Sequence, residues 1–104
     1  MEPRVRRAIR LMTKDLSRGV SFNDVAQTLN LSASRLRHLI KHETGLSPAR
    51  YLKARRIEKA RELLETTFLN VKQVMFKVGY KHRSHFVTEF ERPLRDGRRA
   101  RSFR

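Results

Sequence analysis

The chain predicts an all-α protein of two helix-turn-helix subdomains joined by a long linker helix. Three observations carry that expectation. Apolar residues recur three or four positions apart almost throughout and almost never alternate, which is the period of a helix with one buried stripe and not of a strand. Pro, Gly, Ser and Asn punctuate the ends of those runs, where they start and stop helices. One two-helix pattern also occurs twice along the chain.

The elements follow in order. Pro3 suits a first helical turn, where its missing N–H goes unused. Val5, Ile9, Met12 and Leu16 then form a stripe that ends before Gly19. Ser21 is placed to cap a second, short helix with Asp24 three residues on, and Phe22, Val25, Ala26 and Leu29 make its buried side. Ser32 caps a third helix, in which Leu36, Leu39 and Ile40 face inward until Gly45 supplies a left-handed C-cap. Ser47-Pro48 opens the longest helix, running to about Thr66 with Leu52, Ile57, Ala60, Leu63 and Leu64 on its core side. Its far side is acidic at Glu58, Glu62 and Glu65, read as a solvated face paired in part with Lys59 and Arg61. Asn70 caps a fifth helix carrying Val71, Val74, Met75 and Val78. Gly79-Tyr80 turns the chain into a sixth, which buries Phe86 and Phe90 and is expected to end at Pro93. The organisation is therefore a first subdomain over 1–47, the linker helix over 48–66, a second unit over 67–92 and a basic tail over 93–104.

The repeat is concrete. Phe22, Val25, Ala26, Leu29, Asn30 and Leu31 overlay Val71, Val74, Met75, Val78, Gly79 and Tyr80 with a shift of 49 residues. After one inserted residue the shift is 50, and Ser34, Leu36 and Ile40 fall on Ser84, Phe86 and Phe90. A short helix, a tight turn and a second helix is the unit whose second member lies in the DNA major groove.

Charge agrees with that reading. Lys and Arg number 25 against 10 Asp and Glu, a formal +15, which repels the compact state and is best tolerated beside an anionic partner. A membrane surface would call for a basic helix with a bulky apolar face, and Trp is absent. No run approaches the roughly 18 apolar residues of a membrane span. "MEPRVRRAIRLMTKDL" lacks the apolar core of a signal peptide, so a cytoplasmic location is expected. Cysteine is absent, which excludes disulfides and thiolate metal sites.

Taken together, "VAQTLNLSASRLRHLIKHETGLSPARYL", "RRIEKARELL" and "VGYKHRSHF" with Phe90 resemble the DNA-binding domain of the AraC/XylS family of bacterial transcription regulators, over about Val5 to Arg92. The resemblance implies a homeodomain-like fold of seven helices, with two helix-turn-helix units joined by a rigid helix and both recognition helices on one face of a duplex. It places base-reading positions at Ser34, Arg37 and His38 in the first unit and at Arg83, Ser84, His85 and Thr88 in the second. Ser32, Arg35, Lys41 and Lys81 complete the expected DNA-contacting set. Two departures stand out. Met75 occupies a position that is small in the family, implying looser or wider packing of the second unit. The family's end motif is present at Gly45, Ser47 and Pro48, but its second copy falls on Arg95, Gly97 and Arg98, which puts a final helix in doubt and favours a basic tail.

Other chemistries fare poorly. His38 with His42, and His82 with His85, could each offer two imidazoles, but zinc requires three or four ligands and no thiolate is available. The four glycines form no phosphate loop, and the acidic face of the linker helix has no acid/base partner; offered to RNA polymerase, it would be a docking surface. No cofactor, metal or enzymatic activity is expected. The expected function is sequence-specific binding of double-stranded DNA as a transcription regulator's DNA-binding domain, monomeric as this segment, with any sensor or dimerisation domain outside it. The alternative is a nucleoid or RNA binder without sequence choice, and a protein-interaction module comes third. RNA readers stack bases on exposed aromatics, whereas Phe22, Phe86 and Phe90 sit at core spacing. The joining helix should span about 28 Å against about 34 Å between successive major grooves. An asymmetric site of two unlike blocks follows, with the first unit dominating base choice.

Overall fold

A computed structural model describes residues 1–95 of the chain. The described residues form six helices and no strand: α1 Pro3–Thr13, α2 Phe22–Thr28, α3 Ala33–Thr44, α4 Pro48–Thr66, α5 Val71–Lys77 and α6 Arg83–Arg95. The basic tail and any final helix lie, beyond Arg95, outside the described residues.

Local chemistry sets most of the boundaries. The hydroxyls of Ser21 and Ser32 accept from the N–H groups of Asp24 (3.3 Å) and Arg35 (3.0 Å), so α2 and α3 each start on a satisfied donor. Ser47 does the same for α4, accepting from Arg50 N–H at 3.3 Å. Asn70 and Gln73 form a reciprocal capping box on α5, with bonds of 2.8 and 2.9 Å. Gly45 ends α3 at φ 78 with its N–H on Lys41 C=O.

The turn between the two helices of each unit is the same device used twice. After α2, Asn30 sits at φ 58, its N–H donates to Gln27 C=O, and Leu31 N–H reaches back to Ala26 C=O at 2.9 Å. After α5, Gly79 sits at φ 93, its N–H donates to Phe76 C=O, and Tyr80 N–H reaches Met75 C=O at 2.9 Å. Both are Schellman closures through one left-handed residue. Met75 thus closes its turn at the same length as Ala26, and its side chain is only 4% exposed. The larger residue is taken into the core and leaves the turn unchanged.

Two compact units result, Met1–Lys53 and the remainder from Ala54. In the first, Val5, Ala8, Met12, Val25, Ala26, Leu36 and Ile40 form the core, with Phe22, Leu29, Leu31, Leu39 and Leu52 packed on it. In the second, Ile57, Ala60, Val74, Met75, Val78, Tyr80 and Phe86 form the core, with Leu63, Leu64, Val71 and Phe90 against it. The boundary falls within α4: Leu52 belongs to the first core, Ile57 and Ala60 to the second.

Three expectations need correction. Leu16 lies beyond α1, which stops at Thr13, because Asp15 Oδ1 accepts from both the N–H (3.0 Å) and the hydroxyl (2.6 Å) of Ser17 and folds a local turn in place of another helical turn. Pro93 does not end α6, which continues to Arg95; a proline this late removes one N–H from an already propagating helix. Residues 93–95, assigned to the tail, are therefore helical. Lys59 pairs with Glu62 as expected (3.5 Å), but Glu58 takes Arg55 at 3.0 Å, and Arg61 lies 4.9 Å over the Phe90 ring. That ring lies on the core side of α4, opposite its acidic face, so Arg61 follows packing.

Candidate nucleic-acid interface

The recognition helix of the first unit is oriented by its buried stripe. Leu36 and Ile40 are fully buried, and at 3.6 residues per turn Ser34, Arg37, His38 and Lys41 fall within an arc of about 100° on the opposite side. All four are exposed. Arg35 is exposed too, but it projects from the other flank of α3, towards Glu2. The Arg4 N–H donated to Glu2 holds that carboxyl below its ordinary value, the Arg4 side chain adds to this, and the Arg35 charge contributes least. Arg35 therefore stands apart from the reading stripe. Ser32 is exposed at the helix entrance, its oxygen engaged by the cap while its O–H stays able to donate.

Beneath Arg37 lies a residue that sequence reasoning had placed only in the core. The guanidinium carbon sits 5.5 Å from the Phe22 ring centroid, a cation–π distance. Phe22 and Arg37 line a groove with Met12, Val20, Pro48 and Leu52, of about 260 Å³. That is below the usual range for a small-molecule site, so the Phe22 ring is best understood as a platform for Arg37. The signal available in the sequence was position: Phe22 opens α2, one helix before the arginine it supports.

The second unit presents a different surface. Lys81, Arg83, Ser84, His85 and Thr88 are all exposed around the start of α6. Phe86 is buried, and opposite it Ser84 and Thr88 share a stripe with exposed Glu91. Glu91 was not among the expected contacts, although the 50-residue repeat aligns it with Lys41. A carboxylate on this stripe opposes phosphate and suits an amino donor such as cytosine N4. His85 leaves the stripe. Its ring meets Tyr80 edge-on, centroids 5.4 Å apart, and its Nε2 lies 3.7 Å from Glu89 Oε1. Glu89 is itself only 8% exposed, where the first unit has Leu39. Burial, then the Glu89 carboxylate, push the Tyr80 phenol up to about 12, opposed by Arg56.

Among the described residues no helix is long and apolar enough to cross a membrane, and no three His, Cys, Asp or Glu side chains gather as a metal site.

Comparison with known proteins adds the family. A family model described as a helix-turn-helix domain matches residues 25–95. The HTH-type transcriptional activator RhaS of Escherichia coli (strain SE11) is 37% identical over 73 residues, 70% of this chain and 26% of RhaS. RhaS of Enterobacter sp. (strain 638) is 40% identical over the same length and shares. The chain thus spans about a quarter of the length of the curated relatives it matches. Among solved structures, the C-terminal domain of AraT, a response regulator from Geobacillus stearothermophilus, superposes with a TM-score of 0.79 at 35% identity, over 99% of this chain and 84% of that one. An AraC-type DNA-binding-domain regulator from Chromobacterium violaceum gives 0.81 at 25% identity, over 98% and 89%. The DNA-binding domain of AdpA, solved with a target DNA, gives 0.79 at 20% identity over 98% and 90%, a likeness of fold alone.

Proposed function

We propose, since this chain belongs to the AraC/XylS family of helix-turn-helix DNA-binding domains, that it binds double-stranded DNA with sequence preference as the DNA-reading part of a transcription regulator and performs no chemistry of its own. One observation carries the reading: Ser34, Arg37, His38 and Lys41 form a single exposed stripe on a helix whose start and turn are fixed by Ser32 and by Asn30. Arg37 is the base-reading residue, since a guanidinium can hold guanine O6 and N7 bidentately. Lys41, a point charge one turn on, takes phosphate. In the second unit Lys81 and Arg83 take phosphate, while Ser84, Thr88 and Glu91 face the bases with no cation among them. The first unit therefore dominates sequence choice. The chain acts as a monomer on an asymmetric site, since its two recognition helices are unlike.

Selection of bound sequences from a random duplex pool tests this directly. An enriched asymmetric motif is expected, with Arg37→Ala weakening it by about 1–3 kcal/mol and relaxing one base position. Lys41→Ala is expected to weaken all sequences alike. Recovery of no motif, or equal loss of specific and random binding in Arg37→Ala, would instead make the chain a sequence-indifferent nucleic-acid binder.

A further inference from the structure

Helix α1 carries a charge pattern that the reading of DNA by α3 does not use. Its apolar stripe, Val5, Ala8 and Met12, is buried in the first unit's core. Diametrically opposite, within an arc of about 100°, stand Arg6, Arg7, Arg10 and Lys14, all exposed; Lys14 is the C-cap and keeps a helical backbone. No acidic residue lies between Pro3 and Lys14. The nearby acids are engaged elsewhere: Glu2 pairs with Arg4 on the flank of the helix, Glu43 accepts from Glu2 N–H at 2.6 Å, and Asp15, just past Lys14, accepts from Ser17. Arg7, Arg10 and Lys14 have no ion-pair partner among the described residues, and the Arg6 guanidinium donates to Met1 C=O.

Such a stripe is self-repulsive. Arg6, Arg10 and Lys14 follow one another at intervals of four, where like charges on a helix destabilise it, and each step advances about 6 Å along the axis. A line of cations so spaced, with Arg7 beside it, matches a polyanion and offers no side-chain amide or carboxylate with which to choose among bases. An anionic lipid surface is a poorer fit, because the apolar side of α1 that would enter the bilayer is already committed to the core. Direction matters as well. Helices α1 and α3 bury their apolar stripes in the same core, so each turns its own outward face away from that core, and the face of α1 is available to a duplex other than the one seated on Ser34, Arg37 and Lys41.

We propose that the outward face of α1 is a second, sequence-indifferent site for the phosphodiester backbone of double-stranded DNA, so that one chain holds two duplex segments at once. The proposal rests on the DNA-binding function above. It adds a surface lying outside the residues matched by the family model, which begin at residue 25.

The test uses an immobilised duplex just long enough for one selected site, saturated with the chain and washed, then offered a fluorescent duplex of random sequence. Wild-type protein should retain the second duplex. The variant Arg6→Gln/Arg7→Gln/Arg10→Gln/Lys14→Gln should bind the first duplex and retain at least about tenfold less of the second, with the salt dependence of second-duplex binding shallower by about 3 to 4 in log–log slope for four lost phosphate contacts. Circular dichroism confirms that the variant is folded. If it is not, the pairs Arg6→Gln/Arg10→Gln and Arg7→Gln/Lys14→Gln should each remove about half of that slope. Saturated wild-type protein that captures no second duplex, a folded variant that captures as much as wild type, or preferential capture of single-stranded RNA or phosphatidylserine vesicles each overturns the proposal. Failure to bind the first duplex would overturn the function itself, so the two failures are distinguishable.

Discussion

The stacking of Arg37 on Phe22 makes a prediction that separates support from contact. Replacing Phe22 with Leu keeps an apolar side chain against the first core and removes the ring beneath the guanidinium. An exposed cation–π contact contributes about 0.5–1 kcal/mol, and an arginine fixed on binding loses roughly 0.5–1.5 kcal/mol of rotamer freedom that a platform supplies in advance. At the smaller of these ranges, Phe22→Leu should weaken binding to the preferred duplex about two- to fivefold. Arg37→Ala should weaken it more, by about 1–3 kcal/mol, and the double variant should bind like Arg37→Ala alone, since the platform then has nothing to hold. Fluorescence anisotropy of a labelled duplex at fixed salt reads all four affinities, at a temperature where each variant is fully folded. Equal loss from Phe22→Leu with and without Arg37 would show that the ring acts through the fold and not through Arg37. Tighter binding by Phe22→Leu would show that Arg37 must leave the ring to reach DNA. Either result refutes the preorganisation argument.

Other consequences follow from the same structure. Specific binding should fall with salt at a log–log slope of roughly −5 to −9, if about 6 to 10 phosphates are contacted; a flat titration excludes an electrostatic interface. Gly45→Ala should destabilise the chain by about 1 kcal/mol in urea unfolding, because at φ 78 the added Cβ meets nothing and only backbone strain changes, partly offset by a stiffer unfolded chain. Gly19→Ala, with open space and no such φ, should be neutral or stabilising by up to about 1 kcal/mol. Tyr80 has a phenol raised in the folded state to about 12 from 10.0. Its contribution is fully present below pH 10 and is lost as pH rises towards about 12, while the unfolded chain ionises first. Tyr80→Phe should remove that part of the alkaline instability and the late tyrosinate absorbance; an unchanged alkaline titration refutes the buried phenol.

Much of this molecule was legible because its boundaries are local. Ser21, Ser32, Ser47 and Asn70 act as starts, and Gly45 as a stop, through bonds to residues within four positions. A side chain and a nearby N–H need no distant partner to find each other. The repeat was legible for the same reason, since Asn30 and Gly79 close identical turns with bonds spanning five residues. The inward stripes of α3 and α6 then left Ser34, Arg37, His38, Lys41, Ser84 and Thr88 outward by helical period alone.

What the sequence left open depends on which neighbour fills each flank. Arg35 and His85 had the right chemistry for a reading surface, but Glu2 stands near one, and Tyr80 and Glu89 engage the other. Arg61 looked like an ion-pair partner until Phe90 was placed against it. Glu89, four residues from His85 and buried, looked in sequence like surface charge. Helical period fixes the angle at which a side chain leaves its axis; it says nothing of what another helix brings to that angle. The helices, their caps and the outward stripe of α3 were thus determined by the sequence itself. The ring beneath Arg37, the Phe90 ring beneath Arg61 and the division of α4 between two cores were decided only by packing, because those partners come from separate elements whose meeting no local rule specifies.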